Sequence, residues 1–175
     1  MPAFQNYAPA RPVTRDQTYD GAVGRIDAAC RLIAAAPEKV FAALVDADAV
    51  SSWLPPAGMN GRFEHFDARP GGSYRLILTN SDRSHAGGKA TDNSDIVEAG
   101  FVDIVPDTRV VQAINFVSND PAFAGTMTMT WDVVPIGERT RVEIRATNVP
   151  PGISAEDHAV GLNSSLANLA EYTER

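Results

Sequence analysis

The histidines are the first side chains to test for acid–base chemistry in this 175-residue chain. It has three histidines, His65, His85 and His158. A histidine acts as a general acid or base only beside a second polar group in a sheltered pocket. His65 alternates with Phe63 and Asp67 along a strand-like stretch and can face either side of it. His85 falls in a polar loop and His158 near a helix start, so both read as solvated. Tyr74, and Asn115 between Ile114 and Phe116, add two groups able to bond a polar ligand, although buried polar groups usually find protein partners. His65 and Asp67 would supply two metal ligands, and a third and fourth have no visible source, so no metal site is expected. Arg69 and Arg75 flank a Gly-Gly turn, where ion pairs with Asp67 or Glu64 are a better reading than an anion site. The chain has no Gly-Xaa-Ser-Xaa-Gly elbow, Walker loop or dinucleotide fingerprint. Triad hydrolysis, nucleotide hydrolysis and hydride transfer therefore lack their usual hardware. No catalytic residue and no cofactor is assigned.

Composition sets the frame in which these residues sit. The length fits one domain with a sizeable core, and 44% apolar and 21% charged residues are ordinary for a globular chain. A formal charge of -7 argues against a nucleic-acid surface and against binding to anionic membranes. No run of about eighteen apolar residues is present, so no membrane insertion is expected. Cys30 is the single cysteine, which excludes an internal disulfide and fits a reducing cytoplasm. Ile26, Ala28 and Leu32 alternate with it onto one strand face, which reads as a buried structural thiol. No leader pattern opens the chain, and a cytoplasmic location is expected.

Residues 1–22 carry Pro2, Pro9 and Pro12 with little periodicity and read as an extended arm before a domain at 23–175. A first strand is expected at 25–35. Pro37 suits the first turn of a helix whose Val40, Phe41 and Leu44 share a face. Asp46 caps a second short helix that ends near Trp53-Leu54, before Pro55 and Pro56. Strands follow at 62–68 and 73–80 around Pro70-Gly71-Gly72, then at 95–105, 108–117, 125–134 and 139–147, with a polar loop at 81–94. Thr126 to Val133 is the clearest of them: every large apolar side chain is odd-numbered and every even one is polar, as in an antiparallel sheet covered on one side. Ser154 then caps a helix of about twenty residues, with Glu156 and Asp157 in its first turn. Ala159, Leu162, Leu166, Leu169 and Thr173 form its apolar stripe.

Three segments in this order resemble the SRPBCC superfamily, in the branch named after the activator of Hsp90 ATPase homologues. They are Ala36-Pro37-Glu38-Lys39-Val40-Phe41-Ala42-Ala43-Leu44, the stretch from Asp46 to Trp53-Leu54, and Asp67-Ala68-Arg69-Pro70-Gly71-Gly72-Ser73-Tyr74. Gly100-Phe101-Val102-Asp103-Ile104-Val105-Pro106 matches the family's strand ending in a Pro turn. The resemblance spans about residues 25–173. It departs at Gly161-Leu162, where the family often has Gly-Trp, and at the arm and the 81–94 loop. It implies an α+β helix-grip fold of the START and Bet v 1 type: about seven antiparallel strands curved around a long C-terminal helix, with two short helices between strands 1 and 2. It also implies a hydrophobic cavity between sheet and helix.

The first functional expectation is binding of a small hydrophobic or amphipathic molecule, such as a lipid-like or aromatic metabolite. The expected walls are Trp53, Tyr74, Leu76, Leu78, Met127, Met129, Trp131, Leu162 and Leu166. Trp53 would close the mouth. A second reading is a cyclase or dehydratase acting on a polyketide-like or aromatic substrate, using His65, Tyr74 or Asn115. A third, resting on the family name, is a co-chaperone or interaction module. The expected partner is a small hydrophobic molecule, with no nucleic acid, and a homodimer is left open.

Overall fold

Alternating sequence becomes one antiparallel sheet that is dry on a single face. The computed structural model describes residues 24–81 and 94–175. Among these, seven strands form: β1 Asp27–Ile33, β2 Met59–Phe66, β3 Ser73–Asn80, β4 Ser94–Val105, β5 Arg109–Phe116, β6 Met127–Ile136 and β7 Arg139–Thr147. Their order across the sheet is β1-β7-β6-β5-β4-β3-β2, every pair antiparallel. Only the link from β1 to β2 crosses from one edge to the other. It carries α1 (Pro37–Val45) and α2 (Ala47–Trp53), and α3 (Ala155–Thr173) ends the chain. The expected 1–22 arm, His85 and nearly all of the 81–94 loop lie outside the described residues.

The helices start where their caps dictate. Asp46 accepts from the Ala49 backbone N–H at 2.8 Å, and Ser154 accepts from that of Asp157 at 3.0 Å. α3 packs against β1, α1 and α2. Its buried stripe is His158, Leu162, Leu166, Leu169, Ala170 and Thr173. The expected stripe began at Ala159, which is exposed. Counting back four residues from Leu162 selects position 158, so helical period places His158 inside and corrects its reading as solvated. Its Nδ1 lies 2.7 Å from Asp27 Oδ2, at the first residue of β1. Arg25 bonds the same oxygen at 3.1 Å and donates a second bond to the Ile153 carbonyl. A polar clasp thus joins the start of α3 to the start of β1.

Two bulges redirect side chains that simple alternation misassigns. Register shifts between Phe63 and His65, so Phe63 faces Leu76 while Phe66 faces Tyr74, and both rings turn inward. His65 is sent outward, where its Nε2 sits 2.9 Å from Ser73 Oγ in solvent. In β4 the shift between Phe101 and Asp103 leaves Val102 exposed while Phe101 stays buried. The Pro70-Gly71-Gly72 turn holds this region together. Gly71 has φ +83°, and a Cβ on Gly72 would sit 2.1 Å from the Asp67 carbonyl oxygen, so both positions require glycine. The Gly71 N–H donates to Phe101 O at 2.8 Å, and the Phe101 N–H donates to Gly72 O at 2.8 Å. The turn is therefore stitched to β4.

Cys30 also departs from its expected place. The buried residues of β1 are Ala29 and Ile33, and Cys30 is half-exposed on the opposite, outer face across from Glu143. Desolvation and the Glu143 carboxylate push its thiol above the ordinary range, with Arg141 opposing them. The outer face also carries ion pairs. Arg75 pairs with Glu64 at 2.9 Å and with Glu98, and Arg109 pairs with Asp132 at 2.6 Å. Arg69 pairs with Asp67 at 2.7 Å, as the sequence suggested.

If the α3 stripe anchors the fold, truncating it costs far more than truncating the exposed side of the same helix. Leu166→Ala should lose about 2–5 kcal/mol in urea unfolding, whereas Val160→Ala, at 65% exposure, should change stability by less than about 0.5 kcal/mol. Comparable losses at the two positions would contradict the packing.

Candidate functional site

The inner face of the sheet leaves a small, partly open space beside α2. It has a volume of about 40 Å³. A water needs about 10–15 Å³ on this measure, so the void holds roughly three waters. Ligand sites usually run to about 300–1,000 Å³. The hollow implied by the helix-grip resemblance is thus nearly filled. Large rings fill it. Trp53 from α2 and Trp131 from β6 meet edge to face with centroids 5.5 Å apart. Below them Phe63, Phe66, Tyr74 and Phe101 interlock at 4.8 to 5.8 Å.

Four of the nine expected wall residues line the void: Trp53, Tyr74, Met129 and Trp131. The other five do not. Leu76, Met127, Leu162 and Leu166 are buried in solid core, and Leu78 is partly buried against it. Met127 pairs with Ile114 at the far end of β6, two residues from Met129, which pairs with Gln112 beside the void. Leu162 and Leu166 belong to the α3 stripe, whose work is to cover the sheet. The remaining walls come from Leu44, Val50, Leu54, Phe66, Val110 and Gln112.

Two polar groups reach this space. Tyr74 is buried, its ring packed on three Phe rings, and no described residue hydrogen-bonds its hydroxyl. Burial pushes its phenol well above the ordinary tyrosine range. It therefore stays neutral and can donate a hydrogen bond. Gln112 is the other, only 8% exposed, and its Oε1 accepts from Trp131 Nε1 at 3.3 Å. Sequence reasoning passed over Gln112 and chose Asn115. Yet Val110, Gln112 and Ile114 share the even-numbered inner face of β5, and that alternation carried the signal. Asn115 lies on the outer face, exposed, accepting from Thr126 Oγ1 at 2.8 Å. Of the three expected catalytic candidates, the void thus keeps Tyr74 and excludes His65 and Asn115.

Trp53 is held firmly. Its Nε1 donates to the Ala43 carbonyl at 2.8 Å. It also borders a second, open groove of about 350 Å³ between residues 55–59 and the last turns of α3. No group of three or more His, Cys, Asp or Glu residues suited to a metal ion occurs among the described residues. No helix among them is long and apolar enough to cross a membrane.

Comparison with known proteins agrees with this architecture. Residues 34–174 match the family model described as activator of Hsp90 ATPase homolog 1-like protein. Protein CV1439 from Chromobacterium violaceum is 26% identical, with a TM-score of 0.75 over 86% of this chain and 97% of that one. Protein Mll3558 from Rhizobium loti is also 26% identical, with a TM-score of 0.65 over 85% and 96%. A Staphylococcus epidermidis protein at 17% identity shares the fold, with a TM-score of 0.69 over 86% and 90%. No curated protein matches the chain.

The two polar groups of the void should respond oppositely to deletion. Tyr74→Phe removes a hydroxyl on the void wall that has no partner among the described residues, and should leave unfolding stability unchanged or raise it by up to about 1 kcal/mol. Gln112→Ala strands the Trp131 N–H and should cost about 1–3 kcal/mol. A Tyr74→Phe loss as large as that of Gln112→Ala would mean that the hydroxyl is bonded after all.

Proposed function

The chain belongs to the activator of Hsp90 ATPase homolog 1-like family, and from that premise we propose that it binds a small hydrophobic or amphipathic molecule between sheet and helix. One observation carries the reading. The void is ringed mostly by apolar side chains, and on its wall the Tyr74 hydroxyl and the Gln112 amide nitrogen have no hydrogen-bond partner among the described residues. Such a wall favours an apolar body and offers one or two hydrogen bonds to orient it. The body would be lipid-like or aromatic, and nothing in the reading calls for nucleic acid or a membrane.

The void must grow to accept such a molecule. Met129 and Leu54 are the walls most able to move. Met129 is unbranched and only partly buried, and Leu54 caps the end of α2. Each 100 Å² of apolar ligand surface taken from water contributes about 2.5 kcal/mol, which offsets the repacking.

A cyclase or dehydratase would need a base near the bound molecule. Tyr74 is the only ionisable side chain on the wall, and its raised pKa keeps its proton in place. The binding reading is therefore favoured over the enzymatic one. The co-chaperone reading draws on the family's name alone.

Titration with N-phenyl-1-naphthylamine, a neutral apolar fluorophore, tests the proposal. Saturable enhancement is expected. Met129→Asp should weaken it by about tenfold or more, since a buried charge is costly, while Met129→Leu should bind much as the parent does. No saturable signal from this and similar probes would defeat the reading.

A further inference from the structure

Trp53 lines two spaces at once. It is on the wall of the 40 Å³ void and on the wall of the 350 Å³ groove, and it is the one residue the two walls share. The outer space lies within the usual size range of small-molecule sites, and the inner one does not.

The two compartments differ in chemistry. The groove takes Asn168, Glu171, Tyr172 and Arg175 from α3 and the residue that follows its C-cap. These positions follow i, i+3, i+4, i+7 spacing and so form one face of the last turns. Glu171 and Arg175 pair with each other at 3.5 Å, so the groove has no surplus charge. Neither the Asn168 amide nor the Tyr172 hydroxyl has a hydrogen-bond partner among the described residues. A groove with neutral donors and acceptors to spare suits a neutral polar group bearing hydroxyls or carbonyls. A singly charged head would have to compete with the existing ion pair.

We propose that this groove is a binding site for the neutral, hydroxyl- or carbonyl-bearing end of an amphipathic molecule whose apolar body enters the interior past Trp53. The inference rests on the interior being an apolar binding site, as argued above. It adds the class of head group and the route. To join the compartments, Trp53 leaves its bond to Ala43 O and its edge-to-face contact with Trp131.

The test uses the full chain loaded with N-phenyl-1-naphthylamine. Three displacers share one alkyl chain: octyl glucoside, octanoate and octyltrimethylammonium, each below its micelle-forming concentration. Octyl glucoside should displace the probe at about tenfold lower concentration than either charged compound, the scale of one or two hydrogen bonds. Asn168→Leu combined with Tyr172→Phe should abolish that preference and leave probe affinity unchanged. Glu171→Arg, at an exposed position and therefore safe for folding, should shift the preference toward octanoate. Equal displacement by all three heads, a preference for a charged head in the parent chain, or a preference indifferent to these substitutions overturns the groove while leaving the interior site standing. Failure of the probe itself to bind overturns both.

Discussion

Burial of the α3 stripe against β1 and the two short helices is the contact on which the molecule depends. A one-sided antiparallel sheet exposes a continuous apolar face until something covers it. Leu162, Leu166 and Leu169 supply the cover, each at 4% exposure or less. Side chains of this kind contribute about 1.5–3 kcal/mol apiece when fully buried. Apolar burial is non-directional, so the helix also needs its position fixed. At its start, the clasp of His158, Asp27 and Arg25 ties it to β1. At its end, Glu174 accepts from the Ala34 N–H at 2.8 Å and Lys39 donates to Arg175 O at 2.8 Å. Polar bonds of this type add little net stability, but they select one register among many.

That register decides where space remains. α2 packs on α3 and β2, and its Trp53 meets Trp131 of β6. The aromatic floor of Phe63, Phe66, Tyr74 and Phe101 depends in turn on the bulge in β2 and on the glycine turn bonded to Phe101. The small void is what these constraints leave, with Trp53 on the wall it shares with the groove. Compactness here is a property of large rings packed edge to face. Rings of this kind can reorient as units, so a filled interior and a binding interior are compatible states of one fold.

The strands and helices were legible because their periods are strong. The alternation of β6, the Asp46 and Ser154 caps and the Pro-Gly-Gly turn each announced an element, and the family resemblance ordered them. What escaped were single-residue displacements. A bulge adds one residue and reverses every assignment beyond it, which is how His65 came to be read as a candidate for the interior. In α3 the stripe was entered one residue late because Ala159 looks apolar and His158 does not. Cys30 was assigned by its neighbours Ala28 and Leu32, but an edge strand next to β7 buries the alternate pair, Ala29 and Ile33. Gln112 was missed because a lone polar residue on an apolar face looks like noise until its bond to Trp131 is seen. Trp53, Tyr74, Met129 and Trp131 line the void near α2, while Leu76, Leu78, Met127, Leu162 and Leu166 share its apolar faces without reaching it, because face alone says nothing about position along a strand or helix.

The distribution of ionisable groups then separates the functional readings. The sheet sorts them onto its outer side: Glu64, His65, Arg75, Glu98, Arg109, Asp132 and Glu143. The buried exception, His158, is committed to Asp27 and lies outside the void's wall. Proton transfer requires a donor and an acceptor of matched affinity beside the reacting atom. A neutral phenol and a primary amide already bonded to an indole do not form such a pair. They can fix the orientation of a bound molecule, and a fold shared by many proteins leaves its function to such local groups. In this chain the groups so placed are the Tyr74 hydroxyl and the Gln112 amide.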